Sequence, residues 1–179
     1  TKTLVGALGC DLFKVVSGQS HEQQHAAEDG IIKARLLLLS GAAMIHPTMM
    51  IRAGFLDRHG LKYPPVLTDV DHALWIEAVA LGARFSVLQE YLLCYCRHDG
   101  NLTAEASPGH ADHQRRKTPL RDRLLGLFFP QLTHGETMAL ARWMEEGRKH
   151  SVADVCAALT AIRKATTDTR SYWGESKAE

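Results

Sequence analysis

The stretch Asp69–Val70–Asp71–His72–Ala73–Leu74–Trp75–Ile76–Glu77–Ala78–Val79–Ala80–Leu81–Gly82 decides the fold. Leu74, Trp75, Ala78 and Leu81 recur at helical spacing and form one apolar stripe. Gly82 ends it. Asp71 stands three and four positions before Leu74 and Trp75, and residues at that spacing share a face. The spacing therefore turns the Asp71 carboxylate towards the body of the protein. Two readings of that carboxylate remain open. Thr68 and Asp71 have capping-box spacing, and acids are favoured at helix N-termini by the helix dipole. A partly buried carboxylate at the mouth of a pocket also suits a general base. Asp69 is the rival acid, with a cap or a solvated side chain as its ordinary role.

Working back towards the N-terminus, Tyr63–Pro64–Pro65 is a rigid loop, because proline fixes φ and restricts the residue before it. Ala53 to His59 reads as one or two helical turns closed by Gly60. Met49 to Ile51 reads as a short buried strand after His46–Pro47–Thr48. That tripeptide sets a histidine and a hydroxyl at a strand edge, which suits either a ligand or a satisfied core histidine. A helix carries Ile31, Ile32, Ala34, Arg35, Leu36 and Leu38 and stops at Ser40–Gly41. Ser20 and Gln23 have capping-box spacing, which predicts a helix start near His21. Leu4 to Val16 is rich in strand formers and reads as one strand, or two with a break near Gly9.

Towards the C-terminus, Arg84 to Leu88 and Tyr91 to Arg97 read as two short strands, and Asp99–Gly100–Asn101 as a turn. Past Ser107–Pro108–Gly109 the pattern becomes helical, at about His110 to Leu127, His134 to Lys149 and Val152 to Thr166. Gly147 to Ser151 is the expected hinge, and the tail from Thr167 is polar. The chain thus reads as an α/β part over 1–106 and a helical segment over 107–179.

The chain has 179 residues, 45% of them hydrophobic, enough for a packed core. Its formal net charge of +1 and its short basic run, Arg115–Arg116–Lys117, give no footprint for nucleic acid. The apolar runs Leu36 to Leu39 and Ala42 to Ile45 are too short to span a bilayer. Cys10, Cys94, Cys96 and Cys156 lack CxxC spacing and read as free, buried thiols of a reducing compartment. Cys94 and Cys96 flank Tyr95 and would share a strand face. The ten histidines are scattered without metal-ligand spacing, and no P-loop, HExxH, G-x-G-x-x-G or G-x-S-x-G occurs. The opening Thr1–Lys2–Thr3–Leu4 runs straight into a strand, as expected of a piece of a longer protein.

Taken in order, His46–Pro47–Thr48 to Arg52, Asp71–His72–Ala73–Leu74–Trp75, Gly82, Leu92–Leu93, Tyr95 to His98, Asn101 and Thr103 resemble family 2 glycosyltransferases of the bacterial polysaccharide type. The resemblance covers roughly residues 31 to 103. It implies the C-terminal, acceptor-side part of a GT-A, Rossmann-like α/β fold, and inverting transfer of a sugar from a nucleotide-sugar donor to a glycan or lipid-linked acceptor. It implies Asp71 as the base, with His46, Thr48 and Arg52 shaping the acceptor side. Arg97 would meet the substrate, and His98 a divalent metal (Mg or Mn) or the donor diphosphate. Trp75 is expected to pack the helix. The main metal motif, Asp-x-Asp, and the donor-binding half would precede Thr1. A cytoplasmic place, with peripheral association at the inner face of the membrane, goes with that activity. Val70 stands where the family has Glu, and Cys96 where it has Arg. These departures motivate the rival reading, a degenerate, non-catalytic glycosyltransferase-like module. A metal-dependent hydrolase is a third class, disfavoured by the lack of a tight ligand pair.

Overall fold

A computed structural model describes residues 7–16, 18–25, 27–38, 43–65, 69–98, 110–145 and 147–167. The expected features at Leu4 to Gly6, Leu39 to Gly41, Thr68, Asp99 to Gly109 and the tail beyond Thr167 lie outside these residues. The chain divides into two compact units, Thr1–Ala106 and Ser107–Glu179. The fold is mixed α/β.

In the first unit, strand β1 (Ala7–Val16) is the centre of a four-stranded sheet. β2 (Gln19–Gln23) returns antiparallel to it, with Leu12 opposite Gln23 and Val16 opposite Gln19. This corrects the helix expected near His21. Gly18 takes φ 78°, which suits a tight hairpin turn. The Ser20–Gln23 spacing that imitates a capping box is spent on a ladder. Further along come α1 (Asp29–Leu38), a 3-10 turn at His46–Thr48, and β3 (Met50–Ile51). β3 pairs antiparallel with Ala7 and Leu8. Then follow α2 (Ala53–His59), α3 (Val70–Ala80) and β4 (Phe85–Arg97). β4 runs parallel to β1 along its whole length, from Ala7–Phe85 to Val16–Arg97.

Two strands were expected where β4 is one. The register slips between Cys10 and Leu12, where Cys10 faces Leu88, Asp11 faces Tyr91 and Leu12 faces Leu93. A bulge absorbs the polar Gln89–Glu90 interruption without ending the strand. Gly9 fits the same crowded region, because a Cβ there would lie 2.7 Å from the Met49 sulfur and 3.3 Å from the Thr48 hydroxyl.

The core of this unit lies where α1 and α3 cover the sheet. Leu12, Ile32, Leu36, Leu74, Trp75, Ile76 and Val79 are buried with Phe85 and Val87. The Trp75 and Phe85 rings meet edge to face with centroids 6.2 Å apart. α2 ends where Gly60 adopts a left-handed conformation, as its sequence predicts.

The second unit holds α4 (His110–Phe128), α5 (His134–Trp143) and α6 (Val152–Thr167). Leu124, Leu125, Phe128, Leu140, Ala141, Ala158 and Ala161 are buried. α5 stops at Trp143 rather than at the expected Lys149, and Gly147 beyond it takes φ 76°. Thr133 and Glu136 form a full capping box at the start of α5. The buried Glu145 accepts bonds from Thr118 and from Arg148, the latter at 2.8 Å. No described helix is long and apolar enough to cross a membrane.

Candidate functional site

Asp71 lies in the first turn of α3, on the buried side of which Leu74 and Trp75 pack. Its side chain keeps 29% of its exposure, so it is neither fully solvated nor sealed. The capping reading takes a new form here. Asp69, not Thr68, is the N-cap, in a left-handed conformation with φ 55°, and its carboxylate makes no cap hydrogen bond. Asp is among the few residues that adopt this conformation without large penalty.

Asp71 accepts the His72 backbone N–H at 2.9 Å. The His72 Nδ1 lies 3.4 Å from the Asp71 carboxylate and 3.8 Å from Asp69. Burial pushes the Asp71 pKa up. The hydrogen bonds and charge of His72, with the charge of His46, outweigh it and hold the pKa at about 2. Asp71 is therefore ionised at neutral pH.

The 3-10 turn brings His46 to the same place. Its Nε2 shares a 2.6 Å hydrogen bond with the Tyr63 hydroxyl. Its ring sits edge-on to Trp75 with centroids 6.1 Å apart. Burial and the negative charge of Asp71 push the Tyr63 pKa up, so the phenol keeps its proton. Asp71, His72, His46 and Tyr63 thus make one polar cluster at the start of α3.

The other expected site residues divide. Thr48 belongs to the same turn as His46, and its hydroxyl donates to the Ile45 carbonyl at 2.8 Å. Thr48 and Pro47 also line a mostly apolar recess of about 240 Å³ with Leu8, Cys10, Met50 and Leu92, and Asp71 is not part of its wall. Arg52 is the N-cap of α2. Its carbonyl accepts the Phe55 and Leu56 N–H groups.

Arg97 ends β4 opposite Val16, and His98 follows it. β4 pairs end to end with the 10 residues of β1, so at about 3.3 Å per residue it spans roughly 30 Å. Trp75 and Phe85 tie the Asp71 cluster to the beginning of that strand. The structure therefore joins His46 to Asp71 and leaves His98 at the strand's other end. Asn101 and Thr103 lie outside the described residues.

Sequence reading missed Tyr63 and His72 as members of the cluster. His72 had the signal of adjacency to Asp71. Tyr63 sits before two prolines, a rigid place to hold a ring, but its partner His46 is 17 residues away. The expected burial of all four thiols is also corrected. Cys10 is buried, whereas Cys94, Cys96 and Cys156 are exposed.

The fold and site define a mixed α/β protein with a charged carboxylate, two imidazoles and a phenol grouped at a helix start. Comparison with protein-family models, with curated proteins and with solved structures returned no match.

Proposed function

We propose that this chain is the acceptor-side part of an inverting GT-A-type glycosyltransferase and that Asp71 is its general base. The observation that carries this reading is the accessible, ionised Asp71 carboxylate, grouped with His46 and Tyr63 above the buried Trp75. An acceptor hydroxyl placed against Asp71 would pass its proton to the carboxylate. Its oxygen would then bond to the anomeric carbon of the donor sugar while the nucleotide diphosphate leaves from the opposite face. Asp71 contributes availability and position rather than high basicity, since a pKa of about 2 is far below the value at which a general base is strongest. The protonated Tyr63 hydroxyl and His46 would hold hydroxyls of the acceptor sugar. Thr48 and Arg52 would border it, whereas Arg97 stands with His98 at the other end of β4 and takes no part in this step. The partners of this reaction are a nucleotide-sugar and a glycan or lipid-linked acceptor, with the membrane's inner face as its setting.

A divalent metal, Mg or Mn, belongs to this reading, with His98 as its ligand from this chain. Its main ligands would come from an Asp-x-Asp motif preceding Thr1. Among the described residues no group of three or more His, Cys, Asp or Glu is arranged to hold an ion. His98 stands at the far end of β4 from the Asp71 cluster, so no step here runs through a metal.

The test is Asp71→Asn in the enzyme that contains this chain, assayed for sugar transfer from a nucleotide-sugar. Transfer should fall about 10²- to 10⁴-fold, the usual contribution of a general base. Near-normal transfer by a folded Asp71→Asn variant would sink the role. A second reading, the degenerate non-catalytic module, draws on the distance between His98 and Asp71 together with Val70 and Cys96. Its expected outcome is no transfer from any nucleotide-sugar by the unmutated protein.

A further inference from the structure

Cys94 and Cys96 are two exposed thiols on one face of β4. β1 backs both, with Phe13 opposite Cys94 and Val15 opposite Cys96, so the strand holds them at a fixed spacing. The two side chains are the nearest same-face neighbours along the strand. We propose that Cys94 and Cys96 form a two-coordinate binding site for a soft monovalent cation, Cu(I).

Geometry separates this from the other chemistry of paired thiols. Same-face residues two apart in a strand lie about 6.6 Å apart along it. A disulfide needs Cβ atoms at roughly 3.5–4.5 Å, so closing one would bend β4 away from its ladder with β1. A bridging metal relaxes that demand, because the ion stands between the sulfurs and lets them lie further apart than the S–S bond of about 2 Å.

The number of ligands selects the metal. Zinc takes four ligands in a structural site, and no group of three or more candidate ligands occurs among the described residues. Thiolates are soft donors that favour Cu(I). Binding costs two protons. Each S–H gives its proton to solvent, two Cu–S bonds form, and copper stays Cu(I), so nothing is oxidised or reduced. The bridging cation also removes the repulsion that two neighbouring thiolates would suffer. Nothing in this inference depends on sugar transfer.

The test uses the reduced chain under anaerobic conditions, with Cu(I) alone as the probe and a chromogenic Cu(I) chelator as competitor. One Cu(I) per chain should be withheld from the chelator. Cys94→Ser and Cys96→Ser should each weaken retention about 10²- to 10⁴-fold, as expected when a two-point attachment becomes one-point. Cys156→Ser, which removes the other exposed thiol, should leave retention unchanged. Thermal melting of the metal-free variants checks their folding. If either Ser variant melts early, unmutated protein bridged by phenylarsine oxide, which needs two adjacent thiols, should show the same loss. Retention by the Cys94→Ser variant equal to that of the unmutated chain overturns the proposal. So does a stoichiometry of one Cu(I) to two chains, and so does an equal loss in Cys156→Ser.

Discussion

Asp11 with His25 and Asp71 with His72 are both carboxylate–imidazole pairs, at 3.2 Å and 3.4 Å. Their surroundings differ. Each side chain of the first pair is 1% exposed. Asp11 sits on β1 opposite the bulge of β4 and accepts both the His25 backbone N–H, at 2.8 Å, and its ring Nδ1. Gln89 from β4 donates to the His25 carbonyl, which ties the pair to the next strand. Burial lowers the His25 pKa, with help from the charge of Arg35, against the bond and charge of Asp11 that raise it. The second pair stands at the rim of α3, with Asp71 charged and reachable. Identical residue types therefore serve different ends. The sealed pair sits at the sheet's irregular register, and the open pair leaves a carboxylate at the surface, where the proposed function would place an acceptor.

The largest expected effect on the folded state tests the sealed pair. Asp11→Ala leaves two buried His25 groups, the backbone N–H and the ring Nδ1, without their partner, at about 1–3 kcal/mol for each. Asp71→Asn should cost only about 1–2 kcal/mol, because Asp71 is part-exposed and an amide oxygen there still accepts the His72 backbone N–H. Urea unfolding of both variants checks the contrast. Equal losses would mean that the two pairs do the same structural work, and the site reading of Asp71 would lose its basis.

Half of this comparison could be read in the sequence. The place of Asp71 in the first turn of α3 was legible because its signals are local. Leu74 and Trp75 give the helical face, Gly82 gives the stop, and both lie within a few residues. The same is true of α2 with Gly60. Asp11 was invisible because its partner lies 14 residues away, across a hairpin. That hairpin was itself misread, since Ser20 and Gln23 satisfy a helix signature and a strand pairing equally well. β4 was divided for a similar reason. Gln89 and Glu90 break an apolar pattern, but the bulge opposite Asp11 accommodates them, and Gln89 bonds to the His25 carbonyl. Tyr63 escaped because its hydrogen bond to His46 spans a helix and a loop. Local periodicity reports faces and ends of elements, and pairings between distant elements carry no such signature.

Acid separates the pairs next. The Asp71 pKa is lowered from 3.8 to about 2 in the folded chain. The stability it contributes is present above pH 3.8 and is lost as pH falls towards 2, because the unfolded chain binds the proton first. That loss should be about 1–2 kcal/mol and absent in Asp71→Asn. His25 acts in a different window. Its pKa is also lowered, from 6.5, so its contribution is present above 6.5 and falls away as pH drops below that value. Urea midpoints measured from pH 8 to pH 5 should decline in the unmutated chain and decline less in His25→Asn. A decline unchanged by His25→Asn would show that His25 is not held neutral by burial.

The smallest expected effect concerns the hydrogen bond that completes each region. Gln89→Ala removes the side chain that reaches the buried His25 carbonyl and should cost about 1 kcal/mol. Tyr63→Phe removes a shorter bond, 2.6 Å to His46, yet should change stability by less than about 0.5 kcal/mol, since both groups there are exposed and water replaces the lost partner. Length of a bond and its worth to folding thus run in opposite order, because desolvation sets the cost of losing it. If Asp71 is the base, Tyr63→Phe should still lower transfer, by freeing the His46 ring beside the acceptor. A Tyr63→Phe variant that destabilises the fold as much as Gln89→Ala would place His46 and Tyr63 with the structural pair instead. One that leaves both stability and transfer untouched would remove them from the site and leave Asp71 to act with His72 alone.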